Sequence, residues 1–376
     1  MLFDPIHPHK KPSETCVVVA MSGGVDSSVA AALMVEAGYN VIGMTMQLYD
    51  QGEMALKKKA CCAGIDIYDA KQVAEKLGIP HYVLNYESLF KQSVIDSFVE
   101  SYLSGETPIP CVRCNQTVKF RDMYATAREL GADALVTGHY VQRKEENDKV
   151  SLHRAIDFNR DQSYFLFTTT YEQLQFLRFP LGGLEKSVTR DHARRFGLEV
   201  AEKPDSQDIC FVPNGNYAEI VERLRPDART AGEIVYVDGT KLGEHTGIIN
   251  YTIGQRRGLG VAHSEPLYVV AINPEKHQVI VGPKEALGCV SLILKEVNWI
   301  DDAYPLNTCL EVTVKIRSSQ EPIPALIQLC DNHQALVKFK EAEYGVSPGQ
   351  ACVFYNGTRV LGGGWIQETA RATASM

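Results

Sequence analysis

The stretch Val17-Val18-Val19-Ala20-Met21-Ser22-Gly23-Gly24-Val25-Asp26-Ser27-Ser28 decides the fold of the first half of this chain. Its valines predict a buried strand, and the run from Ser27 to Met34 predicts the helix that follows. The paired glycines let the backbone approach a ligand, and the start of a helix adds partial positive charge. The sequence therefore predicts a cradle for phosphate, with an ordinary strand–turn–helix capped by serine as the alternative.

This cradle is not the common P-loop. No lysine follows the second glycine, and the pattern Gly-x-x-x-x-Gly-Lys-Ser/Thr occurs nowhere in the chain. The spacing instead resembles the SGGxDS signature of the ATP pyrophosphatases, which split ATP between its α and β phosphates and adenylate a substrate. The resemblance implies that the loop binds ATP.

Size and composition limit the classes of protein to which the chain can belong. Its 376 residues are enough for two or three domains, and 45% hydrophobic with 22% charged residues is ordinary for a globular protein. No apolar stretch approaches the roughly 20 residues needed to cross a bilayer, and the stretch from Met1 to Lys11 lacks the apolar core of a signal peptide. We therefore expect a cytoplasmic protein without a membrane partner.

Charge and cysteine content narrow the possible functions further. A net charge of −8 argues against indiscriminate binding of nucleic acid but leaves room for a local basic face. Ten cysteines without a secretory signal do not indicate a disulfide scaffold. Five lie in apolar or strand-like surroundings and are expected to be structural: Cys16, Cys289, Cys309, Cys330 and Cys352. Cys111, Cys114 and Cys210 stand apart.

Strands and helices alternate through the first half of the chain. The periodicity predicts strands over 41–46, 82–84 and 134–137 and helices over 66–77, 87–102, 115–130 and 187–196. This alternation indicates a mainly parallel sheet with helices on both faces. Ser22-Gly23-Gly24, Met46-Gln47 and Gly138-His139 follow predicted strands, so we expect them to share one crevice at the carboxyl edge of the sheet.

Beyond Pro226 the pattern changes to short strands. Hairpin turns are predicted at Asp238-Gly239, Asn273-Pro274 and Asn356-Gly357. These strands indicate a small β-rich central domain followed by a β-barrel. We therefore expect an α/β catalytic domain over residues 1–225, the central domain over 226–290 and the C-terminal barrel over 291–376.

The segment Cys111-Val112-Arg113-Cys114-Asn115 lies at the start of a predicted helix. A thiol in that position, beside Arg113, is expected to have a depressed pKa and to be partly thiolate. Three interpretations compete. A zinc site needs four ligands, and a second CxxC is absent. A thioredoxin-like redox pair lacks its usual strand pattern. Sulfur chemistry coupled to activation by ATP fits best, and folding would have to bring Cys210 to this segment.

Seven motifs in a fixed order now make the resemblance specific. They are Ser22-Gly23-Gly24-Val25-Asp26-Ser27, Cys111-Val112-Arg113-Cys114-Asn115 with Val118-Lys119-Phe120, Thr137-Gly138-His139-Tyr140, Arg160-Asp161-Gln162-Ser163-Tyr164-Phe165, Ser206-Gln207-Asp208-Ile209-Cys210-Phe211, Gly254-Gln255-Arg256-Arg257-Gly258-Leu259-Gly260 and Pro348-Gly349-Gln350. From about residue 16 to residue 366, the chain closely resembles the bacterial tRNA-specific 2-thiouridylases, which thiolate the wobble uridine of certain tRNAs.

The resemblance implies a first domain of the adenine-nucleotide α-hydrolase type and a set of site residues. Cys114 matches the nucleophile, and Cys210 matches the cysteine that carries a persulfide. The positions that match ATP contacts are Ala20, Met21, Ser22, Gly23, Gly24, Val25, Asp26, Ser27, Met46 and Gly138. The positions that match tRNA contacts are Ile109, Pro110, Cys111, His139, Arg160, Asp161, Gln162, Arg317, Ser318 and Gln350. The alternative for any single one of these tRNA-contact positions is that it is an ordinary solvated polar residue on the surface.

The chain departs from the family pattern in the loop that meets the target base. The family commonly has Asn-Pro where this chain has Ile109-Pro110, and some members have Asp in place of Cys111. A side-chain hydrogen bond from the first position is therefore in doubt. Cys111 is either not needed for the sulfur relay or a sign that this chain is a variant of the family.

The implied reaction is ATP-dependent 2-thiolation of a tRNA uridine, with Mg²⁺ as cofactor and a persulfide sulfur donor protein as partner. Uridine O2 is adenylated, the Cys210 persulfide delivers sulfur, and Cys114 closes a disulfide with Cys210. Asp26 either serves Mg²⁺ or complements the helix dipole. Two alternatives stay open: a [4Fe–4S] cluster held by Cys111, Cys114 and Cys210, and an amidating ATP pyrophosphatase that acts on a small molecule.

Overall fold

The first sheet consists of five parallel strands in the order β3-β2-β1-β4-β7, with strands numbered along the chain. The structure is a computed structural model that describes residues 5–6, 9–48, 62–205, 209–212, 215–301 and 306–371. The strands of this sheet are β1 Cys16–Ala20, β2 Asn40–Gln47, β3 His81–Asn85, β4 Ala134–Val136 and β7 Leu177–Arg178.

Helices lie on both faces of this sheet, as the alternating pattern predicts. The α-helices are α1 Val25–Glu36, α2 Cys62–Leu77, α5 Tyr171–Phe176, α6 Lys186–Arg195 and α7 Tyr217–Leu224. Two longer helices contain π-helical turns: α3 is Glu87–Phe90, Lys91–Ile95 (π) and Asp96–Leu103, and α4 is Pro110–Cys114, Asn115–Met123 (π) and Tyr124–Glu129. Val17 and Val19 pack with α1 and α6, whereas Val18 packs on the opposite face with α4.

Short 3-10 turns complete the helical part of the described chain. They are Pro12–Glu14, Phe158–Arg160, Ser163–Leu166, Glu199–Glu202, Pro226–Ala228, Ile248–Asn250 and Lys284–Leu287. α4 begins at Pro110 rather than at Asn115, where the periodicity predicts its start. Proline suits the first helical position, because its missing N–H would have no partner there and its φ is already helical.

The middle of the chain forms a four-stranded sheet in the order β10-β11-β8-β9. Its strands are β8 Gly232–Tyr236, β9 Lys241–His245, β10 Tyr268–Asn273 and β11 Gln278–Gly282. The hairpins predicted at Asp238-Gly239 and after Asn273 are confirmed by the antiparallel pairs β8–β9 and β10–β11. This sheet packs against α3 and α7, so the middle module and the first domain share one apolar core.

The C-terminal strands close into a six-stranded barrel. They are β12 Cys289–Trp299, β13 Cys309–Lys315, β14 Ile323–Cys330, β15 Gln334–Glu343, β16 Ala351–Asn356 and β17 Arg359–Arg371. The order is β12-β15-β14-β13-β16-β17, and β12 also pairs with β17. The hairpin predicted at Asn356-Gly357 is confirmed, and the expected fold class is confirmed for all three parts of the chain. Cys309 is exposed, so the expectation that it is a buried structural thiol is wrong.

A hairpin of the first domain extends the sheet of the barrel. β5 Val141–Glu146 and β6 Lys149–Arg154 pair with each other, and β6 pairs with β17 through His153–Arg359 and Leu152–Val360. This hairpin is not predicted from the sequence, because the charged run at its turn lacks the alternation of a half-buried strand. The first domain and the barrel are therefore joined by backbone hydrogen bonds.

Within the described residues, no helix combines the length and the apolar character that a membrane crossing requires.

Candidate active site

The Ser-Gly-Gly loop connects the carboxyl end of β1 to the start of α1. Gly23 has a φ of +73°, and a Cβ at this position would lie 2.0 Å from the backbone oxygen of Asp66, so only glycine fits. Gly24 precedes the first residue of α1 with an extended φ of −92°, and a Cβ there would meet only Ser22 Oγ at 3.5 Å. The loop thus presents its backbone and the positive end of α1 toward the same edge of the sheet.

Asp26, in the first turn of α1, lies in a charged network. Its carboxylate accepts hydrogen bonds from Lys186 Nζ at 2.7 and 2.9 Å and from the Tyr140 hydroxyl at 2.9 Å. Lys186 Nζ also lies 2.8 Å from the Asp205 carboxylate, and Arg160 Nη1 lies 2.9 Å from the Asp205 carboxylate. The Lys186 side chain is 11% exposed, so this cation lies in a recess beside the loop. No site role is predicted from the sequence for Lys186, Tyr140 or Asp205.

A second lysine holds the loop from the other side. Lys203 Nζ donates to the backbone oxygen of Gly23 at 3.0 Å and pairs with Asp66 at 2.6 Å and Asp69 at 2.5 Å. Asp66 and Asp69 belong to α2, so this lysine joins the loop to that helix. Lysine and aspartate at such positions give no signal in the sequence, because charged residues on helix surfaces are common.

Gly138 and His139 meet the loop at the same edge of the sheet. A Cβ on Gly138 would lie 2.8 Å from backbone atoms of Asp26 and Ser27, so the two backbones are in direct contact. The His139 ring is bonded through Nδ1 to Thr137 Oγ1 at 2.9 Å, and burial holds its pKa well below the ordinary value. Burial therefore favours the neutral imidazole of His139, which lies between the Ser-Gly-Gly loop and the cysteine helix.

The three candidate cysteines lie close enough together to influence one another's pKa. Burial raises the pKa of Cys114, and burial followed by the proximity of Cys114 and Cys111 raises the pKa of Cys210 to about 12. The expectation of a depressed thiol pKa is therefore wrong for Cys114, because it lies in the second turn of α4, where the dipole is weak and the surroundings are apolar. The positive charge of Lys119 partly offsets the rise in the pKa of Cys114 and Cys210, and it also contributes to the lowered pKa of His139.

The thiols differ in their access to solvent. Cys114 is buried, Cys111 is exposed, and Cys210 is reached by solvent although protein atoms surround its thiol. No disulfide joins Cys114 to Cys210. Among the described residues, no group of three or more His, Cys, Asp and Glu side chains is arranged to hold a metal ion. Ser206, Gln207 and Asp208 of the same motif lie outside the described residues.

Two of the positions that match tRNA contacts have side chains that are hydrogen-bonded within the protein. The Asp161 carboxylate is 1% exposed and accepts hydrogen bonds from Arg154 Nε at 2.9 Å and from the hydroxyl of Ser163 at 3.0 Å. Gln162 Oε1 accepts from the backbone N–H of Tyr140 at 2.8 Å. A tRNA contact through the Asp161 side chain is therefore not available in this structure, because that carboxylate organises the segment that carries Arg160.

Four of the other positions line two cavities between the parts of the chain. Arg317 and Gln350 line a cavity of about 400 Å³ at the junction of the middle module, the barrel and Thr107. Ile109 and Pro110 line a second cavity of about 280 Å³ between α3, α4 and the barrel. Ser318 is exposed beside Arg317. The four positions that line the cavities are therefore divided between two sites.

The parallel sheet, its Ser-Gly-Gly loop and the contact of Gly138 with the first turn of α1 define an adenine-nucleotide-binding α/β domain. The family model described as "tRNA methyl transferase HUP domain" matches residues 15–214. The model described as "tRNA methyl transferase PRC-barrel domain" matches residues 219–283, and "Aminomethyltransferase beta-barrel domain" matches residues 290–366.

The relatives of the chain identify its family. The tRNA-specific 2-thiouridylase MnmA of Rickettsia massiliae (strain Mtu5) is 61% identical over 358 residues, which cover 95% of this chain and 98% of the relative. The protein of the same name from Rickettsia akari (strain Hartford) is 60% identical and covers 94% and 97%. The chain belongs to the tRNA-specific 2-thiouridylase family.

Among solved structures, a 4-thiouridine synthetase–RNA complex with bound ATP covers 57% of this chain and 51% of its own at 18% identity. Its TM-score of 0.33 is too low to carry an argument.

Proposed function

We propose that the chain is a tRNA-uridine 2-sulfurtransferase that uses ATP to thiolate the wobble uridine of tRNA. The observation that carries this proposal is the backbone contact of Gly138 with Asp26 and Ser27, which directly follow the Ser-Gly-Gly loop, beside the helix that holds Cys114. An ATP loop alone suits any adenylating enzyme. Two thiols within electrostatic reach of each other and of the same lysine, Lys119, suit the transfer of sulfur.

In the first step, uridine O2 attacks the α-phosphate of ATP, a P–O bond forms, and pyrophosphate leaves. The backbone of Gly23 and Gly24 and the start of α1 bind the phosphates, and Met46 and Gly138 lie on the adenine side. Lys186 supplies a cation in a recess, where it stabilises charge on the leaving pyrophosphate. Mg²⁺ would neutralise phosphate charge when it binds with ATP, and Asp26 is the loop carboxylate that suits it.

In the second step, sulfur moves from a persulfide to C2 of the adenylated base. The terminal sulfur of the Cys210 persulfide forms a bond to C2, and AMP leaves with the former O2. Cys114 then attacks the inner sulfur of Cys210, which releases 2-thiouridine and leaves a Cys114–Cys210 disulfide. The two cysteines supply the two electrons that reduce the transferred sulfur, and a thiol reductant must restore them before the next cycle.

The substrate and donor complete the proposal. Arg160, Arg317 and Ser318 offer exposed groups to tRNA phosphates, and the loop Ile109–Cys111 faces the target base. A persulfide-carrying protein loads Cys210, and the reaction takes place in the cytoplasm with its tRNA. The domain limits proposed for this division of labour are 1–225, 226–290 and 291–376.

Product analysis tests the proposal. Purified protein is incubated with ATP, Mg²⁺, a persulfide source and tRNA, and the nucleosides are analysed by mass spectrometry. We expect 2-thiouridine at the wobble position, with AMP and pyrophosphate formed only when tRNA is present. Tight binding of iron, lost together in alanine variants of Cys111, Cys114 and Cys210, would favour the cluster mechanism. Formation of AMP with ammonia and a small acid, without tRNA, would favour an amidating enzyme.

A further inference from the structure

Arg113, between the two cysteines of the CxxC motif, is bound to the barrel. Its guanidinium donates to both carboxylate oxygens of Glu296, from Nη1 at 2.6 Å and from Nη2 at 2.9 Å. The same group lies 4.3 Å from the ring centroid of Trp365. Bidentate pairing and stacking on an indole together fix the plane of a guanidinium, as a lysine in that place would not. This set of three side chains is called the Arg113 clamp below.

The barrel is shaped locally to make this contact. Glu296 has a φ of +50°, which is uncommon for a residue other than glycine. It lies in a bulge of β12, between Lys295, which pairs with Trp365, and Asn298, which pairs with Gly363. A bulge leaves residues outside the ladder and turns their side chains in a new direction. The bulge therefore directs Glu296 at Arg113, on the seam where β12 and β17 close the barrel.

The loop that leads into the cysteine helix is attached to the barrel as well. The Thr107 N–H donates to the Pro348 carbonyl at 2.8 Å, and Gln350 Nε2 donates to the Thr107 carbonyl at 2.8 Å. These contacts hold the backbone before the helix, whereas the Arg113 clamp acts within its first turn. Arg113 is the one charged residue of the turn Pro110–Cys114.

We propose that Arg113 is a positioning residue: Glu296 and Trp365 of the barrel fix the rotation of the first turn of α4 and thereby direct the Cys114 thiol toward Cys210. In a helix with 3.6 residues per turn, Arg113 and Cys114 point about 100° apart, so fixing one direction fixes the other. This inference rests on the proposed function. It adds that the barrel, as well as holding tRNA, sets the geometry of the sulfur step.

The clamp is tested with Arg113→Met, Arg113→Lys and Glu296→Gln. Glu36→Gln is the matched control, because it removes the carboxylate of another bidentate Arg–Glu pair, Arg195–Glu36, away from the cysteines. Five quantities are measured: kcat for thiolation, KM for ATP, Kd for tRNA, the melting temperature, and the rate at which diamide joins Cys114 to Cys210 in the free protein.

We expect Arg113→Met and Glu296→Gln to lower kcat and the rate of disulfide formation together by about 10- to 100-fold, because small errors of placement slow a reaction between positioned groups. Arg113→Lys should lie between these variants and the wild type. KM, Kd and the melting temperature should stay near wild-type values, and Glu36→Gln should change none of the quantities. Unchanged disulfide formation, or a parallel loss of tRNA affinity and melting temperature, would overturn the positioning role. Failure of the wild type to thiolate tRNA would instead overturn the proposed function.

Discussion

At the scale of single residues, the two glycines of the Ser-Gly-Gly loop have different roles. Gly23 carries the positive φ and has no room for a side chain, whereas Gly24 has an ordinary φ and open space. We expect Gly23→Ala to lower the free energy of unfolding by about 1–3 kcal/mol. Gly24→Ala should keep the stability and lose pyrophosphate release, because its Cβ would stand in the path of the phosphates. Urea unfolding and a pyrophosphate assay on both variants separate the two roles; equal effects on stability would contradict this assignment.

The cysteines make a second prediction at this scale. Burial raises the pKa of Cys114, so the thiol stays protonated at pH 7 and reacts slowly as a nucleophile. We expect iodoacetamide to label exposed Cys111 at least about tenfold faster at pH 7, and Cys114 labelling to rise about tenfold per pH unit as the thiolate fraction grows. Lys119→Met should slow the labelling of Cys114 and Lys119→Arg should not, because the cation stabilises the thiolate. Peptide mass spectrometry checks both, and fast labelling of Cys114 at pH 7 would contradict the burial argument.

At the scale of elements, α1 and α6 are held together beside the loop by one lysine. Lys186 lies between the carboxylates of Asp26 and Asp205, and its removal would leave two negative groups facing each other. We expect Lys186→Met to lower the free energy of unfolding by about 1–3 kcal/mol and to slow pyrophosphate release. Lys186→Arg keeps the charge and should retain most of the stability. Wild-type pyrophosphate release by the Lys186→Met variant would contradict a role for this lysine in the adenylation step.

The elements also show where sequence patterns succeed and where they fail. The buried valine run, the three hairpin turns and the helix periodicities locate the sheet and barrel, because burial and turn chemistry are local properties. The β5–β6 hairpin, the network around Asp26 and the Arg113 clamp join residues far apart in the chain. Their charged side chains have the composition of ordinary surface. The raised pKa of Cys114 also cannot be predicted from the sequence, because the burial of a residue at a helix start depends on which side chains pack over that residue.

At the scale of the whole molecule, an acidic chain must bind an acidic substrate. The exposed side chains of Arg160 and Arg317 are the cations that the account assigns to tRNA phosphates. We expect the logarithm of the binding constant to fall with the logarithm of salt concentration, with a slope of about −0.7 to −0.9 for each phosphate contact. Arg317→Gln should make this slope shallower by about one contact, and Arg229→Gln, an exposed change elsewhere, should not. A salt-independent Kd for tRNA would contradict an electrostatic contact.

The sulfur relay is tested by following labelled sulfur in Cys114→Ser and Cys210→Ser during a single turnover with tRNA, ATP and a labelled persulfide. We expect that Cys210→Ser takes up no label, and that Cys114→Ser takes up label on Cys210 but releases no 2-thiouridine. Both variants should bind ATP and tRNA as the wild type does, because thiols carry sulfur and do not hold the nucleotide. Normal thiolation of tRNA by Cys210→Ser would contradict the relay.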